Sequence, residues 1–147
     1  MEQQQQPKIK LANALLKNSK NPKLAWQLFK RMSLSTPNLF FQSLPIITRI
    51  LLRSSMFSEI DSLHHFLLSQ PPVKNSSLYT VVRILAESGH VDKALSQFQT
   101  LRAQFPDRPP LVSLYNLLIQ SSLKGDCQQN FVSWLYKDMI FAGILPE

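Results

Sequence analysis

Three histidines, a close pair of acids, one cysteine and two tryptophans are the side chains of this sequence that invite a chemical role. His64 and His65 are adjacent, and His90 stands alone further on. Metal binding or acid–base work would need them to converge, but neighbouring residues on a helix point about 100° apart. The histidines are expected as solvated or half-buried side chains. Glu59 and Asp61 are two residues apart and face different ways, which argues against a paired-carboxylate site. Cys127 is the lone cysteine, so neither an internal disulfide nor a cysteine-based zinc site can form. The sequence has no glycine-rich phosphate loop and no nucleophile elbow. Trp26 and Trp134 could stack on bases, but each falls in the second helix of a pair, where a core role is expected. These residues imply no enzyme, no metal and no cofactor.

Charge is more informative. The formal net charge is +7, and nine Lys/Arg lie between Gln3 and Ser58 with no Asp or Glu among them. Eight of the nine acids come from Glu59 onward. A basic, acid-poor amino end suits an organelle transit peptide or a surface that meets polyanions. Against a transit peptide, the basic residues are mostly Lys and helical periodicity already starts at Lys8. The longest apolar run, Leu44 to Leu52, contains Pro45 and Arg49 and is too short to span a bilayer.

Helices must position whatever these charges do. Apolar residues make up 44% of the 147 positions, there are three glycines, and alternating β-branched runs are absent. An all-α protein follows. Residues 1–7 form a polar Gln tract, expected as a disordered tail. Helices are expected over Lys8 to about Asn18, Leu24 to Met32, Leu39 to Arg53 and Ser58 to Leu68. Four more are expected from Asn75 to Glu87, from Val91 to Gln104, and on either side of Lys124-Gly125-Asp126. Asn21-Pro22 offers an N-cap with proline in the first turn, Ser33 to Asn38 a turn, and Asn75-Ser76-Ser77 further caps. Tyr115, Leu118, Ile119 and Leu123 share one face of the seventh helix; Phe131, Trp134, Leu135 and Met139 share one of the eighth. Gly143 is placed to cap that last helix and Pro146 to stop it.

The eight helices repeat as pairs. A shift of 34 residues lays Arg49-Ile-Leu51 on Arg83-Ile-Leu85, Ser54 on Ser88 and Leu67 on Leu101. A shift of 36 lays Tyr79 on Tyr115 and Gly89 on Gly125. The closing pattern of a small or apolar residue, an aromatic or Leu, then Met or Leu recurs four times. It appears as Ala25/Phe29/Met32, Ile60/Leu63/Leu67, Ala94/Phe98/Leu101 and Val132/Tyr136/Met139. A helix-hairpin period of this length means a stacked solenoid. The units run approximately over 8–37, 38–74, 75–110 and 111–147.

The fourth unit resembles the pentatricopeptide repeat (PPR) proteins of plant organelles, of the P type. Tyr115-Asn116, Leu118-Ile119, Lys124, Leu135-Tyr-Lys-Asp-Met139 and Gly143-Ile-Leu-Pro-Glu147 are similar to that family's motif. The third unit matches through Gly89-His-Val-Asp-Lys-Ala-Leu95 and Phe98, the first through Leu24 to Met32, and the second is degenerate. The resemblance implies a right-handed α-solenoid of about four helix pairs that binds single-stranded RNA, one base per repeat. In the family, the residue after the motif tyrosine and the motif's last residue choose the base, here Asn116 and Glu147. Asn116 fits a pyrimidine, and glutamate at 147, where the family has Asp or Asn, leaves U against C open. In the third unit the base-reading place falls on Tyr79 by the spacing from Gly89 and on Thr80 by the tyrosine landmark. The lysine before the turn, a phosphate contact in the family, falls on Lys124 and on Arg53; Glu87 holds that place in the third unit. Both cations would also suit a helix C-terminus on dipole grounds alone.

The resemblance implies a non-enzymatic role in organellar RNA processing, stability or expression, mitochondrial or, as the alternative, plastid. A competing role is a helical-repeat scaffold that binds a protein partner or its own copy. The last helix carries Phe131, Trp134, Leu135, Tyr136, Met139, Ile140 and Phe141, apolar on nearly all sides. Terminal solenoid units need a polar outer face, so the chain is expected to be the amino-terminal part of a longer one, or to have this end covered by another molecule.

Overall fold

Proline sets the start of the first three helices. It fixes the backbone angle a helix needs and lacks an N–H at a position where that donor has no partner. In the computed structural model, which describes residues 7–35, 37–70, 74–124 and 129–144, α1 spans Pro7–Lys17, α2 Pro22–Ser35 and α3 Pro37–Arg53. The remaining helices are α4 (Phe57–Ser69), α5 (Asn75–Leu78), α6 (Thr80–Glu87), α7 (Val91–Gln104), α8 (Val112–Lys124) and α9 (Gln129–Phe141). No strand occurs among the described residues. The protein is an all-α, helical-repeat fold. Most of the expected tail lies outside the described residues, and Pro7 opens α1.

Asn21 caps α2 as its sequence suggests: the Leu24 N–H donates to Asn21 Oδ1 at 3.4 Å and the Ala25 N–H to the Asn21 carbonyl at 3.0 Å. Of the expected Ser33–Asn38 turn, residues 33–35 belong to α2 and residues 37–38 to α3, and residue 36 lies outside the described residues. The helix expected over Asn75–Glu87 divides at Tyr79, whose backbone (φ −103°, ψ 12°) leaves the helical range. Asn75 does not act as a cap. The α5 N-cap is Lys74, with no side-chain bond, and the Asn75 amide is engaged elsewhere.

Helix C-termini repeat one device. The N–H groups of Gly89 and His90 donate to the carbonyls of Ala86 and Leu85, those of Gly143 and Ile144 to Ile140 and Met139, and those of Ser55 and Met56 to Leu52 and Leu51. Each is the paired closure that needs a left-handed residue after the helix. Gly89 has φ 88° and Gly143 φ 80°, but the first helix of the second pair does the same with Ser55 at φ 55°.

The chain forms two compact units, residues 1–63 and 64–147. In the first, α1, α2 and α3 pack against one another around Leu11, Leu15, Phe29, Leu44, Ile47 and Leu51. Pro45 lies inside α3 and removes the N–H that would bond to the Phe41 carbonyl, yet α3 runs unbroken. Trp26 stacks on Phe29 at 5.8 Å, with Lys30 Nζ 5.4 Å from its ring centroid.

In the second unit, α6 packs on α7 and α8 on α9, and α8 also contacts α6 and α7. Phe98 is the hub. Its ring lies 5.7 Å from Tyr79, 5.4 Å from Tyr115 and 5.9 Å from Trp134. The repeated core positions are buried at Ala25/Phe29, Ile60/Leu63/Leu67 and Ala94/Phe98/Leu101. The fourth copy departs from this pattern: Leu135 is buried and Tyr136 is 43% exposed. Leu123, expected on the apolar face of its helix, is also exposed.

Candidate nucleic-acid interface

A first helix can offer a polar ligand only the residues its core face leaves over. On α8 the core takes Leu114, Tyr115, Leu118 and Ile119. That leaves Asn116, half-buried in the second turn, and Lys124, exposed at the last residue. On α6 the core takes Val81, Val82, Ile84 and Leu85. Thr80 is half-buried at the first residue, its Oγ donating to the Ser76 carbonyl at 3.1 Å. Because α6 and α8 pack together, the structure brings the Thr80 and Asn116 helices side by side. Arg53 belongs to the other compact unit, exposed at the last residue of α3. Counting back from the left-handed residue gives Arg53 and Glu87 the same place, two before Ser55 and Gly89. Glu147 lies outside the described residues.

Tyr79 departs from expectation. Its side chain is buried, packed on Phe98, and its hydroxyl donates to the Arg108 carbonyl at 2.6 Å. Burial pushes its pKa up, so the hydroxyl stays a donor locked onto protein. Tyr115 is its counterpart, buried against the other side of Phe98, its hydroxyl donating to Asp138. Thr80 follows one buried tyrosine and Asn116 the other, and both are half-buried.

The polar cluster that holds these tyrosines is what sequence reasoning missed. Arg102 is 3% exposed. Its Nε donates to Asp138 Oδ2 at 2.8 Å, and its Nη1 donates to the carbonyls of Phe105 at 3.1 Å and Arg108 at 3.3 Å, with that of Pro106 at 3.5 Å. Arg108 Nε donates to Asn75 Oδ1 at 2.9 Å, while Asn75 Nδ2 donates to the Pro109 carbonyl at 3.4 Å. Burial alone would lower the Arg102 pKa, but its bond to Asp138 leads the interactions that outweigh burial and leave it raised. In Tyr115, burial and then the Asp138 bond push the pKa up. In an amphipathic helix Arg102 looks like a surface cation. A clue was available: it follows Leu101, Asp138 precedes Met139, and Leu101 and Met139 are equivalent core positions of adjacent units. A second lay in Pro106, Pro109 and Pro110, which prevent helix and leave carbonyls in need of donors.

A curated pentatricopeptide repeat-containing protein of Arabidopsis thaliana is 48% identical to this chain over 144 residues, covering 93% of the chain. The chain belongs to the pentatricopeptide repeat family. It spans 16% of that relative's length. No family model and no solved structure matches it. In PPR terms, Tyr115 is a core anchor, Asn116 its half-buried neighbour, and the Asp before the closing Met a half-buried partner of Arg102.

Among the described residues, no group of three or more His, Cys, Asp or Glu could hold a metal ion, and no helix is long and apolar enough to cross a membrane. His64, expected to be solvated or half-buried, is buried on α4 at 8% exposure. His65 is exposed, its ring centre 6.2 Å from that of His64. Trp26 and Trp134 are half-buried against Phe29 and Phe98.

Proposed function

We propose that this PPR segment binds single-stranded RNA through its first helices, without catalysing a reaction on it. Asn116 and Thr80 contact bases, with Glu147 as the partner of Asn116 in base choice. Lys124 and Arg53 contact phosphates, each at the exposed end of a first helix. One observation carries the reading. Two consecutive repeats bury their landmark tyrosine and leave the next residue, Thr80 or Asn116, at the same register beside the surface. Asparagine can donate and accept at a base edge, and the Thr80 hydroxyl, which donates to Ser76, can accept. The basic, acid-poor stretch from Gln3 to Ser58 supplies the long-range attraction a polyanion needs. The process served would be organellar RNA processing, stability or expression, in the mitochondrion or, alternatively, the plastid.

Filter binding of the chain to a pool of single-stranded RNA at low salt tests this. Lys124→Ala with Arg53→Ala should weaken binding, and each lost phosphate contact should reduce the logarithmic salt slope by roughly 0.7. No affinity at low salt, or affinity unchanged by the double substitution, would refute it. A second reading has its own support: Tyr136, Ile140 and Phe141 on α9 are 43%, 63% and 77% exposed. Such a surface suits a scaffold that binds protein or its own copy. Concentration-dependent sedimentation without RNA affinity would favour that role.

A further inference from the structure

Arg102 lies between the two tyrosines that precede the proposed base contacts. Tyr79 donates to the Arg108 carbonyl, to which Arg102 Nη1 also donates at 3.3 Å. Tyr115 donates to Asp138, the carboxylate that pairs with Arg102 Nε at 2.8 Å. A single guanidinium on α7 thus reaches the anchor of α8 through a side chain of α9, and the anchor of α6 through the backbone of the α7–α8 linker. We infer that Arg102 is a positioning residue: by clamping Tyr79 and Tyr115 it fixes the rotation of α6 and α8 about their axes, and with it the relative directions of Thr80 and Asn116.

The chemistry favours arginine for this task. A planar fork with five donors can hold a carboxylate and several carbonyls at once, whereas lysine is a compact point charge. Packing alone would constrain the helices less sharply, because rings meet Phe98 at unlike angles, 51° for Tyr79, 90° for Tyr115 and 87° for Trp134, and tolerate small slides. Directional bonds to both hydroxyl partners remove that freedom. The geometric half of the inference stands on the structure; its consequence for base choice rests on the RNA-binding reading above.

Removing Arg102 alone would leave the half-buried Asp138 carboxylate without its cation, and the chain could simply unfold. The test therefore uses Arg102→Met together with Asp138→Leu, since replacing a buried pair by apolar residues of similar size commonly preserves the fold. Circular dichroism checks that it does. Spin labels at Thr80→Cys and Asn116→Cys, in a Cys127→Ser chain, report the distance distribution between the two faces without any RNA. The parent should give a narrow distribution and the doubly apolar variant a broad one, while Arg102→Lys should narrow it only in part. An equally narrow distribution in the folded apolar variant overturns the clamp. In unlabelled protein, the affinity ratio between homopolymeric pyrimidine and purine RNAs should fall towards unity in the apolar variant with the salt slope unchanged. A broadened distribution with the base ratio intact overturns the role in base choice. A parent chain that binds no RNA overturns the RNA reading itself, and the distance measurement still decides the clamp.

Discussion

Ser55 holds a conformation that two glycines hold elsewhere in the chain, and exchanging the residues measures what that difference is worth. At φ 55° it closes α3 with the same bond pair that Gly89, at φ 88°, provides for α6. A side chain in the left-handed region costs roughly 1–2 kcal/mol. Glycine returns about 0.4–1 kcal/mol of that through the greater freedom of the unfolded chain. Ser55→Gly should therefore stabilise the protein by about 0.5–1 kcal/mol. The reverse exchange isolates the torsional term, because a Cβ at Gly89 would meet no heavy atom within 4 Å. Gly89→Ala should be destabilising by a similar amount, with no steric contribution. Ser55→Ala is the control and should change little, since both residues carry a Cβ. Urea denaturation followed by circular dichroism reads all three as shifts in midpoint at constant slope. A midpoint that falls or stays put in Ser55→Gly, with Gly89→Ala harmless, would refute the argument from backbone strain.

Other outcomes follow from the second unit. Tyr79 and Tyr115 hold their protons more tightly when folded than the ordinary tyrosine value. Their contribution to stability is fully present below about pH 10, the unfolded value, and is lost as pH rises through the folded values. Urea midpoints should fall steeply above that pH, and Tyr115→Phe should flatten the fall while lowering neutral-pH stability by about 1 kcal/mol. Phe98→Ala removes the ring that Tyr79, Tyr115 and Trp134 share, and should cost about 3–5 kcal/mol in urea unfolding. Its near-ultraviolet circular dichroism should weaken along with it.

The helices were legible because two local signals agreed along most of the chain. Apolar residues recur at helical spacing, and Pro22, Gly89 and Gly143 start or end helices where the backbone requires them. The internal shift of 34 residues also lays Ser55 on Gly89, and the structure gives these unlike residues one backbone state. The split of the fifth helix at Tyr79 was not legible. It depends on a hydroxyl bonding to a carbonyl 29 residues away, and no local pattern encodes that. The environment of the candidate base contacts was half legible: the sequence left Tyr79 and Thr80 in competition, and the structure buries Tyr79 and leaves Thr80 half-buried. Arg102 was missed for a different reason. Periodicity treats every arginine as polar surface, while this one is inside because its partners, Asp138 and the linker carbonyls, are too.

The proline-rich connection from Phe105 to Pro110 has a consequence for sequence drift. Loops between helical hairpins ordinarily accept extra residues at little expense. This one is tied by Arg102 at Phe105 and Arg108, by Tyr79 at Arg108, and by Asn75 at both Arg108 and Pro109. Lengthening it by one residue would pull several carbonyls off their donors together, so its length is as constrained as that of a helix. Indels between these two repeats should be selected against here, and linker proteolysis should be slow for as long as the Arg102 side chain stays in place.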